Sequence, residues 1–319
     1  MPDLDVSIVI VNWNTRDLLA RAIASVAEHS GALRVETIVV DNGSADGSAD
    51  MVRQSFPAVQ PIANSDNRGY TKACNQGLAA SSGRYILFLN SDAELTAGCL
   101  ETLVRVMDAH PDVGAASPRL SEDPTGVPAG IFPRLWLRLL PTKLNWKIEN
   151  RMIAGFYREG EVIDVEWLVG ACLMVRRAVV EQVGGMEERL FMWYDDAEWC
   201  LRMKKRGWRR VVIPGAFCRH EHGASAKKVP SLLADFRMTM AEYTYWRLHR
   251  GRLLTAILYT TRLLRLCLSW VRLALMNLLR PRRSPEAHET LQLASARVRW
   301  HLKHAGDILL RDPRPYLGE

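Results

Sequence analysis

The sequence predicts an α/β fold in which a doubly wound, mostly parallel sheet is followed by a helical extension. Short runs of β-branched residues alternate with segments whose apolar residues recur at helical spacing. Polar residues directly follow the clearest of these runs. The composition, with 48% hydrophobic and 24% charged residues, is typical of a globular protein and excludes a disordered or collagen-like chain.

The predicted elements follow in chain order. The first strand is residues 6–11, and Asn14 or Thr15 caps a helix that runs to about residue 28. Strands and helices then alternate over residues 35–40, 59–63, 69–80, 85–89, 164–176, 195–206, 209–213 and 216–220. Four prolines and several aromatic residues within residues 121–163 predict a mobile loop or flap.

The charge is divided unevenly along the chain. Residues 1–235 hold 27 Lys and Arg against 29 Asp and Glu, which gives −2. Residues 236–319 hold 15 against 6, which gives +9 and completes the chain's net +7. We therefore predict two domains, 1–235 and 236–319, and an anionic partner for the second.

Polar residues end the predicted strands at the edge where open α/β sheets bind ligands. Asp41 follows the second strand, where a carboxylate either accepts hydrogen bonds from a ribose or nucleobase or closes an Asx-turn. Asp92, in Asn90-Ser91-Asp92, either holds Mg²⁺ or Mn²⁺ or forms a turn or helix cap. The residues by themselves leave these alternatives open.

An acidic run opens one predicted helix, and an HxH pair ends a predicted strand. Asp195, Asp196 and Glu198 suit either a solvated helix cap or a general base, and flanking aromatic residues such as Trp193 favour a partly buried site. His220 is either structural or a metal ligand. The sequence has no GxGxxG, GxxxxGK[ST] or HExxH motif, which argues against a dinucleotide oxidoreductase, a P-loop NTPase and a zinc hydrolase.

Seven motifs stand in the order found in one known family. They are VSIVIVNWN, VVDNGSADGS, NRGYTKACNQG, LFLNSDAEL, VGACLMVRR, FMWYDDAEWCLRMKKRGW and RHEHGAS. Over residues 5–250 the chain resembles family-two glycosyltransferases of the GT-A fold, in the bacterial branch of rhamnosyl- and galactofuranosyltransferases. The resemblance implies inverting, Mn²⁺- or Mg²⁺-dependent transfer of a sugar from a nucleotide-sugar donor. The acceptor is a glycan or lipid-linked molecule of cell-surface polysaccharide synthesis, and dTDP-rhamnose is the first candidate donor.

The resemblance also implies roles for single residues. Asp196 is the catalytic base, and Asp92 with His220 holds the cation. The implied donor-binding residues are Asn12, Asn14, Asp41, Asn67, Gly69, Asn75 and Asp92. Acceptor-side residues are Trp193, Asp195 and Glu198, with the loop over 121–163. In Asn90-Ser91-Asp92 one metal carboxylate of the family motif is replaced by Asn, and the base motif reads Asp195-Asp196-Ala197-Glu198.

The tail predicts a membrane-associated helix. Its apolar run over residues 253–279 is interrupted by Arg262, Arg265 and Arg272. On a helix these three arginines and Arg280 fall within an ~80° sector. The pattern favours an amphipathic helix that binds a membrane surface through residues 253–283, with the arginines at the headgroups. The alternative is a helix that packs on the catalytic domain. Pro281 ends this helix, and residues 286–304 predict another.

The expected location is cytoplasmic and peripheral, on the inner face of the plasma membrane. Six scattered cysteines without a CxxC pair favour reduced thiols, and the N-terminus lacks the pattern of a signal peptide. A non-catalytic, nucleotide-sugar-binding scaffold protein is the alternative function. Nucleic-acid binding is disfavoured because the basic tail is mainly apolar, and the oligomeric state is left open.

Overall fold

The computed structural model describes residues 4–121, 128–156, 160–221, 229–279 and 285–316. The chain forms two compact units. The first unit comprises Met1–Phe132, Lys143–Glu188 and Asp195–Lys228, and the second comprises Pro133–Thr142, Arg189–Tyr194 and Val229–Glu319. The predicted division at residues 235/236 stays a prediction.

Strands and helices alternate through most of the chain. The strands are β1 Val6–Asn12, β2 Val35–Asp41, β3 Gln60–Ala63, β4 Tyr85–Asn90, β5 Ala93–Leu95, β6 Val113–Leu120, β7 Ala129–Gly130, β8 Ile163–Asp164, β9 Trp167–Leu168, β10 Cys172–Arg176 and β11 Arg209–His220. The helices are α1 Arg16–His29, α2 Ser48–Ser55, α3 Tyr70–Ala80, α4 Cys99–Ala109, α5 Leu135–Arg138, α6 Thr142–Ala154, α7 Arg177–Val183, α8 Asp195–Lys205, α9 Ser231–Leu279, α10 Pro285–Lys303 and α11 Ala305–Leu309.

The main sheet has the order β3-β2-β1-β4-β10-β6-β11-β5, with β8 paired to β11. Strands β3, β2, β1 and β4 are all parallel to one another. Val6, Ile8 and Ile10 of β1 are fully buried, as β-branched side chains are in a sheet that is covered on both faces. The predicted α/β class is confirmed.

The register of the parallel strands aligns their polar ends. Asn12 at the end of β1 lies opposite Asp41 at the end of β2, and Val11 lies opposite Asn90 at the end of β4. The three polar motifs that the sequence places at strand ends therefore share one edge of the sheet.

Strand β11 is one long strand where the sequence predicted two. It spans the Pro214-Gly215 interruption with a shift in register against β6 between Ile213 and Phe217. Beyond the shift it pairs antiparallel with β5, with His220 opposite Ala93. This pairing carries His220 to the loop that follows β4.

The segment over residues 121–163 was predicted to be a loop or flap, and that prediction is wrong for most of its described part. Helix α6 has 13 residues and begins directly after Pro141, where a proline does not interrupt the helix. Helix α5 precedes Pro141, and β7 pairs with β9. Residues 122–127 and 157–159 lie outside the described residues.

The second unit contains α9, which breaks at Gly251, where φ is 81° and favours glycine. Glu242 on the first half of α9 is buried and pairs with Arg138 over 2.8 Å and with Arg262. Arg265 donates to the backbone oxygens of Arg138 and Leu139. The prediction that Arg262 and Arg265 face lipid headgroups is therefore wrong, because both side chains bind protein groups.

The second half of α9 exposes a stripe of apolar side chains, called the apolar stripe below. Its members, all more than a third exposed, are Leu253, Ile257, Leu264, Leu268, Val271, Leu275, Leu278 and Leu279. At ~100° per residue they fall within a ~100° sector of the helix, on the side away from Arg262. No helix among the described residues has the length and hydropathy needed to cross a membrane.

Candidate active site

Asn12 and Asp41 tie together the loops that follow β1 and β2. Asn12 Nδ2 donates to Asp41 Oδ1 over 2.9 Å, and the Ser44 backbone N–H donates to Asp41 Oδ2 over 3.1 Å. Both Asn12 and Asp41 are buried, and Asp41 closes an Asx-type turn. Each carboxylate oxygen keeps a second acceptor direction, and the contact with a ribose or nucleobase stays a prediction.

Asn14 links the same two loops from the other side. Its backbone is left-handed, with φ at 55°, a conformation that Asn adopts more readily than most residues. Its N–H donates to Ser44 Oγ over 2.9 Å, and its Oδ1 accepts from the Ala45 N–H over 2.8 Å. Asn14 therefore lies beside the turn of Asp41, while its donor-binding role stays a prediction.

Asn42 and Gly43 hold the loop after β3 against the loop after β2. Asn42 Nδ2 donates to Asn67 Oδ1 over 3.0 Å and to the Gly69 oxygen over 3.2 Å. Gly43 has φ at 75°, and a Cβ there would lie 2.6 Å from a backbone carbon of Asp66. Only glycine fits this close approach. The predicted donor-binding residues Asn67 and Gly69 thus lie next to the loop that follows β2.

Asn75 contacts a different part of the first unit. Its Nδ2 donates to the Met186 oxygen over 2.9 Å and to Glu188 over 3.0 Å, and its Oδ1 accepts from the Met186 N–H over 2.8 Å. These contacts support the loop after α7 and account for an Asn at this position. The predicted donor contact of Asn75 is not among them and stays a prediction.

Asp92 and His220 meet although they lie far apart in the sequence. His220 Nε2 is 3.3 Å from Asp92 Oδ1, and both side chains are more than nine-tenths buried. The Glu221 backbone N–H donates to the backbone oxygen of Asp92 over 2.9 Å and holds the two loops together. The two predicted metal ligands are therefore adjacent.

The donor set at this position is one carboxylate and one imidazole. Mn²⁺ accepts both, whereas Mg²⁺ prefers oxygen, and each completes its coordination with water or phosphate oxygens. Among the described residues no group of three His, Cys, Asp or Glu side chains forms a metal site by itself. His222, the second histidine of the HxH pair, lies outside the described residues. The pair thus fits a cation that is shared with a diphosphate.

Asp196 lies in the first turn of α8 and is partly exposed. The Ala197 N–H donates to its Oδ1 over 2.7 Å and the Gly170 N–H to its Oδ2 over 3.3 Å. Burial, followed by the charge of Asp195, raises the pKa of Asp196 to about 8, and the backbone N–H groups of Ala197 and Gly170 oppose this rise. Asp196 is therefore a stronger base than an ordinary carboxylate.

The other acids of this run differ from Asp196. Glu198 is buried and makes three hydrogen bonds with the guanidinium of Arg202, of 2.8 to 3.0 Å, along one turn of α8. Arg202 in turn donates to the backbone oxygens of Val183 and Gly185. These contacts account for Glu198 structurally, and its acceptor-side role stays a prediction.

The two residues before α8 have unusual backbones. Trp193 and Tyr194 have φ at 68° and 61°, in the left-handed region that bulky side chains rarely adopt. Such conformations persist where surrounding contacts enforce them, and they cluster at functional sites. Arg138 donates to the Tyr194 hydroxyl over 3.3 Å within the second unit. The acceptor-side roles of Trp193 and Asp195 stay predictions.

The sequence did not predict the contacts that Thr15, Ser91 and Tyr70 make near the strand ends. Thr15 Oγ1 donates to Asn12 Oδ1 over 2.6 Å and lies 2.7 Å from Ser91 Oγ, so it joins the loops after β1 and β4. Thr15 is the N-cap residue of α1, but its hydroxyl makes no capping hydrogen bond. Tyr70 donates to Asn90 Oδ1 over 3.3 Å. Local sequence gives no signal for the contacts of Thr15 with Ser91 and of Tyr70 with Asn90, because each joins separate segments.

Comparison with known proteins agrees with this arrangement. Residues 7–184 match the family description "Glycosyl transferase family 2", which is more than half of the chain. The chain therefore belongs to glycosyl transferase family 2.

One relative is the N-acetylglucosaminyl-diphospho-decaprenol L-rhamnosyltransferase of Mycobacterium tuberculosis. It is 28% identical over 248 residues, which cover 70% of this chain and 78% of the relative. This similarity agrees with the branch of the family that the motifs predict.

Two solved structures share the fold. The mannosyltransferase PcManGT from Pyrobaculum calidifontis, in complex with GDP-Man and Mn²⁺, has a TM-score of 0.53 at 17% identity and covers 97% of this chain and 88% of its own. GalNAc-T7 with UDP, GalNAc and Mn²⁺ has a TM-score of 0.54 at 15% identity over 77% of this chain. This chain spans about half of GalNAc-T7, 51%. The fold is the GT-A fold, as predicted.

Proposed function

We propose that this protein is an inverting, metal-dependent glycosyltransferase. It transfers a sugar, with rhamnose as the first candidate, from a nucleotide-sugar donor to a glycan or lipid-linked acceptor in bacterial cell-surface polysaccharide synthesis. The observation that carries the proposal is the buried Asp92–His220 pair, at the sheet edge where the strand-end residues Asn12, Asp41 and Asn90 lie. The Mycobacterium tuberculosis relative supports the sugar and the acceptor class.

The chemistry requires a base and a stabilised leaving group. A sugar hydroxyl is a poor nucleophile, so Asp196 accepts its proton as the new glycosidic bond forms. A carboxylate whose pKa is raised to about 8 suits that role near neutral pH. When bound by Asp92 and His220, a divalent cation would offset the charge that develops on the leaving diphosphate. A single displacement of this kind inverts the anomeric configuration.

Asp196→Asn is the direct test of the base. We expect kcat to fall by about 10²- to 10⁴-fold while donor binding is retained, because the amide cannot accept the proton. Turnover is measured with a panel of nucleotide sugars, with dTDP-rhamnose first, and donor binding by calorimetry. Asp50→Asn in α2, an exposed acid, is the matched control and keeps full activity. Normal turnover by Asp196→Asn would contradict the assignment.

The same assay separates the enzyme from the alternative, a non-catalytic nucleotide-sugar-binding scaffold. A scaffold would bind the donor without turnover in the wild-type protein. EDTA removes turnover from a metal-dependent enzyme, and added Mn²⁺ restores it. His220→Gln is expected to raise the Mn²⁺ concentration for half-maximal turnover by about 10- to 100-fold.

We also propose that the second unit binds an anionic membrane surface, through the apolar stripe and not through Arg262 and Arg265. The sequence between Glu242 and Glu286 holds nine arginines and no acidic residue. Such a segment complements a negatively charged interface and inserts apolar side chains beneath it. A cytoplasmic enzyme on the inner face of the plasma membrane would reach lipid-linked acceptors this way.

Vesicle flotation tests the membrane proposal with two adjacent exposed residues. Leu268→Glu places a charge in the apolar stripe, and Ser269→Glu places the same charge outside it. We expect the full chain and Ser269→Glu to float with phosphatidylglycerol vesicles and Leu268→Glu to remain in the dense fractions. Equal flotation of both variants would contradict the proposal.

A further inference from the structure

Tyr70 connects two parts of the candidate site that lie on different elements. It is the first residue of α3, and its hydroxyl donates to Asn90 Oδ1 at the end of β4 over 3.3 Å. Cys74 lies one turn further along α3, and its thiol is close enough to the same hydroxyl to affect its pKa. Asp195 and Asp196 are close enough for their charges to act on Tyr70. The hydroxyl therefore lies between the Asn90-Ser91-Asp92 strand end and the acids of α8.

The Tyr70 hydroxyl and the Cys74 thiol both keep their protons. Burial, reinforced by the charge of Asp195, raises the pKa of the Tyr70 hydroxyl and of the Cys74 thiol well above their ordinary values. A phenol has a single hydrogen to donate, and Tyr70 gives it to the carbonyl oxygen of Asn90. The hydrogen bond thus selects one of the two orientations that the Asn90 carboxamide can take.

This orientation leaves the amide nitrogen of Asn90 available to a ligand. With its oxygen engaged by Tyr70, the amide presents its NH₂ group, which makes no hydrogen bond to any residue within the described ranges. An NH₂ group donates hydrogen bonds to phosphate oxygens and does not coordinate a hard cation. Asn90 is half-buried at the ligand-binding edge, two residues before Asp92.

We propose that Tyr70 is a positioning residue which orients the Asn90 carboxamide so that its NH₂ group binds an oxygen of the nucleoside diphosphate. Asn90 is then a donor-binding residue and not a ligand of the cation, although it occupies a carboxylate position of the metal motif. The inference rests on the proposed function, because it requires a nucleotide-sugar donor at this edge.

The test is binding of nucleoside diphosphates to the full chain. Calorimetry with dTDP, UDP and GDP in the presence of Mn²⁺ identifies which one the wild type binds, and that nucleotide becomes the probe. Asn90→Asp keeps the shape of the side chain and replaces the NH₂ group with a second oxygen. We expect it to bind the probe at least about tenfold more weakly, since it loses a donor and repels phosphate. A metal-ligating Asn90 predicts the opposite, with equal or tighter binding of probe and Mn²⁺.

Tyr70→Phe tests the positioning role without adding a charge. We expect probe affinity to fall about threefold to tenfold, with a matching rise in the donor KM and an unchanged kcat. Tyr85→Phe, on the same strand as Asn90, is the matched control, since it loses a hydrogen bond to Asp108 at the opposite end of β4. It should bind the probe like the wild type.

The outcomes separate the inference from the function on which it rests. If the wild type binds none of the three nucleotides, the proposed function and the inference both fail. If the wild type binds one and Tyr70→Phe binds it equally well, the inference alone is overturned. Thermal unfolding of each variant confirms that it is folded, and Tyr70→Phe decides the result if Asn90→Asp does not fold.

Discussion

Two acidic groups of this protein have opposite electrostatics. Asp196 in α8 has Asp195 as its neighbour, and burial together with that charge raises its pKa to about 8. Glu242 in α9 is buried, but Arg262 and Arg138 outweigh the effect of burial and lower its pKa. Burial is the largest single effect at both positions, so the neighbouring charges decide the direction of the shift.

The difference separates a reactive group from a structural one. An ionised carboxylate that is desolvated beside a like charge is costly, and it relieves that cost by taking a proton. A carboxylate between two guanidiniums is already paired and gains nothing from a proton. Perturbed acids of the first kind mark functional sites, whereas acids of the second kind hold segments together. Substitutions at the two places should therefore affect different properties.

The largest expected effect on stability is at Glu242. Glu242→Gln removes the charge that pairs with Arg138 and Arg262 and leaves two guanidiniums without it. We expect the free energy of unfolding to fall by about 3 to 5 kcal/mol, measured by urea denaturation with an unchanged m-value. Glu289→Gln in α10, an exposed acid of the same unit, is the control and should change stability by less than about 0.5 kcal/mol.

A smaller effect is expected at Glu198, which tests whether it behaves like Glu242 or like Asp196. Glu198→Gln weakens a buried, charge-assisted pair with Arg202. We expect a loss of about 1.5 to 3 kcal/mol in the free energy of unfolding, with kcat near the wild-type value. A loss of turnover without a loss of stability would instead assign Glu198 to the reaction.

The pH dependence of activity tests the coupling between Asp195 and Asp196. The base must be ionised, so kcat/KM should rise with pH and level off above about 8, the pKa to which burial and Asp195 raise Asp196. Asp195→Asn removes the neighbouring charge and should move this rise to lower pH. An unchanged profile in Asp195→Asn would show that Asp195 does not act on the base.

The pH dependence of stability offers a further test at Asp196 itself. Its pKa is about 8 in the folded protein and 3.8 ordinarily, so the folded state holds more protons between these values. Stability from this group is therefore present at low pH and is lost as pH rises towards 8. An Asn side chain does not titrate, so the Asp196→Asn variant does not lose this stability. It should therefore gain stability relative to wild type as pH rises from 5 to 9. A growing destabilisation instead would indicate a structural role for Asp196.

Most of the parallel half of the sheet could be predicted from the sequence, because burial on both faces leaves uninterrupted β-branched runs. The strand-end polar residues could be predicted as well, since each directly follows such a run. Helix α6 could not, because its apolar and polar residues are mixed and no residue of it is fully buried. The site contacts were hidden for another reason. Thr15 meets Ser91 only after β1 and β4 pair.

The arginines of α9 show the limit of helical periodicity. Spacing alone places Arg262, Arg265 and Arg272 on one face, and that face exists in the structure. Periodicity does not reveal what the face contacts. Arg262 pairs with Glu242, and Arg265 donates to the backbone carbonyls of Arg138 and Leu139. The apolar stripe lies outside that face and is exposed.

The sequence by itself determined the strands of the parallel part of the sheet, the polar residues at the strand ends and the membership of glycosyl transferase family 2. Each of these depends on local periodicity or on motifs that are continuous in the chain. The tertiary structure alone decided that Asp92 meets His220, that Tyr70 reaches Asn90, and that Glu242 pairs with two arginines while Asp196 lies beside Asp195. Those properties depend on which distant segments pack together, and the dielectric and charge around a group are set by that packing.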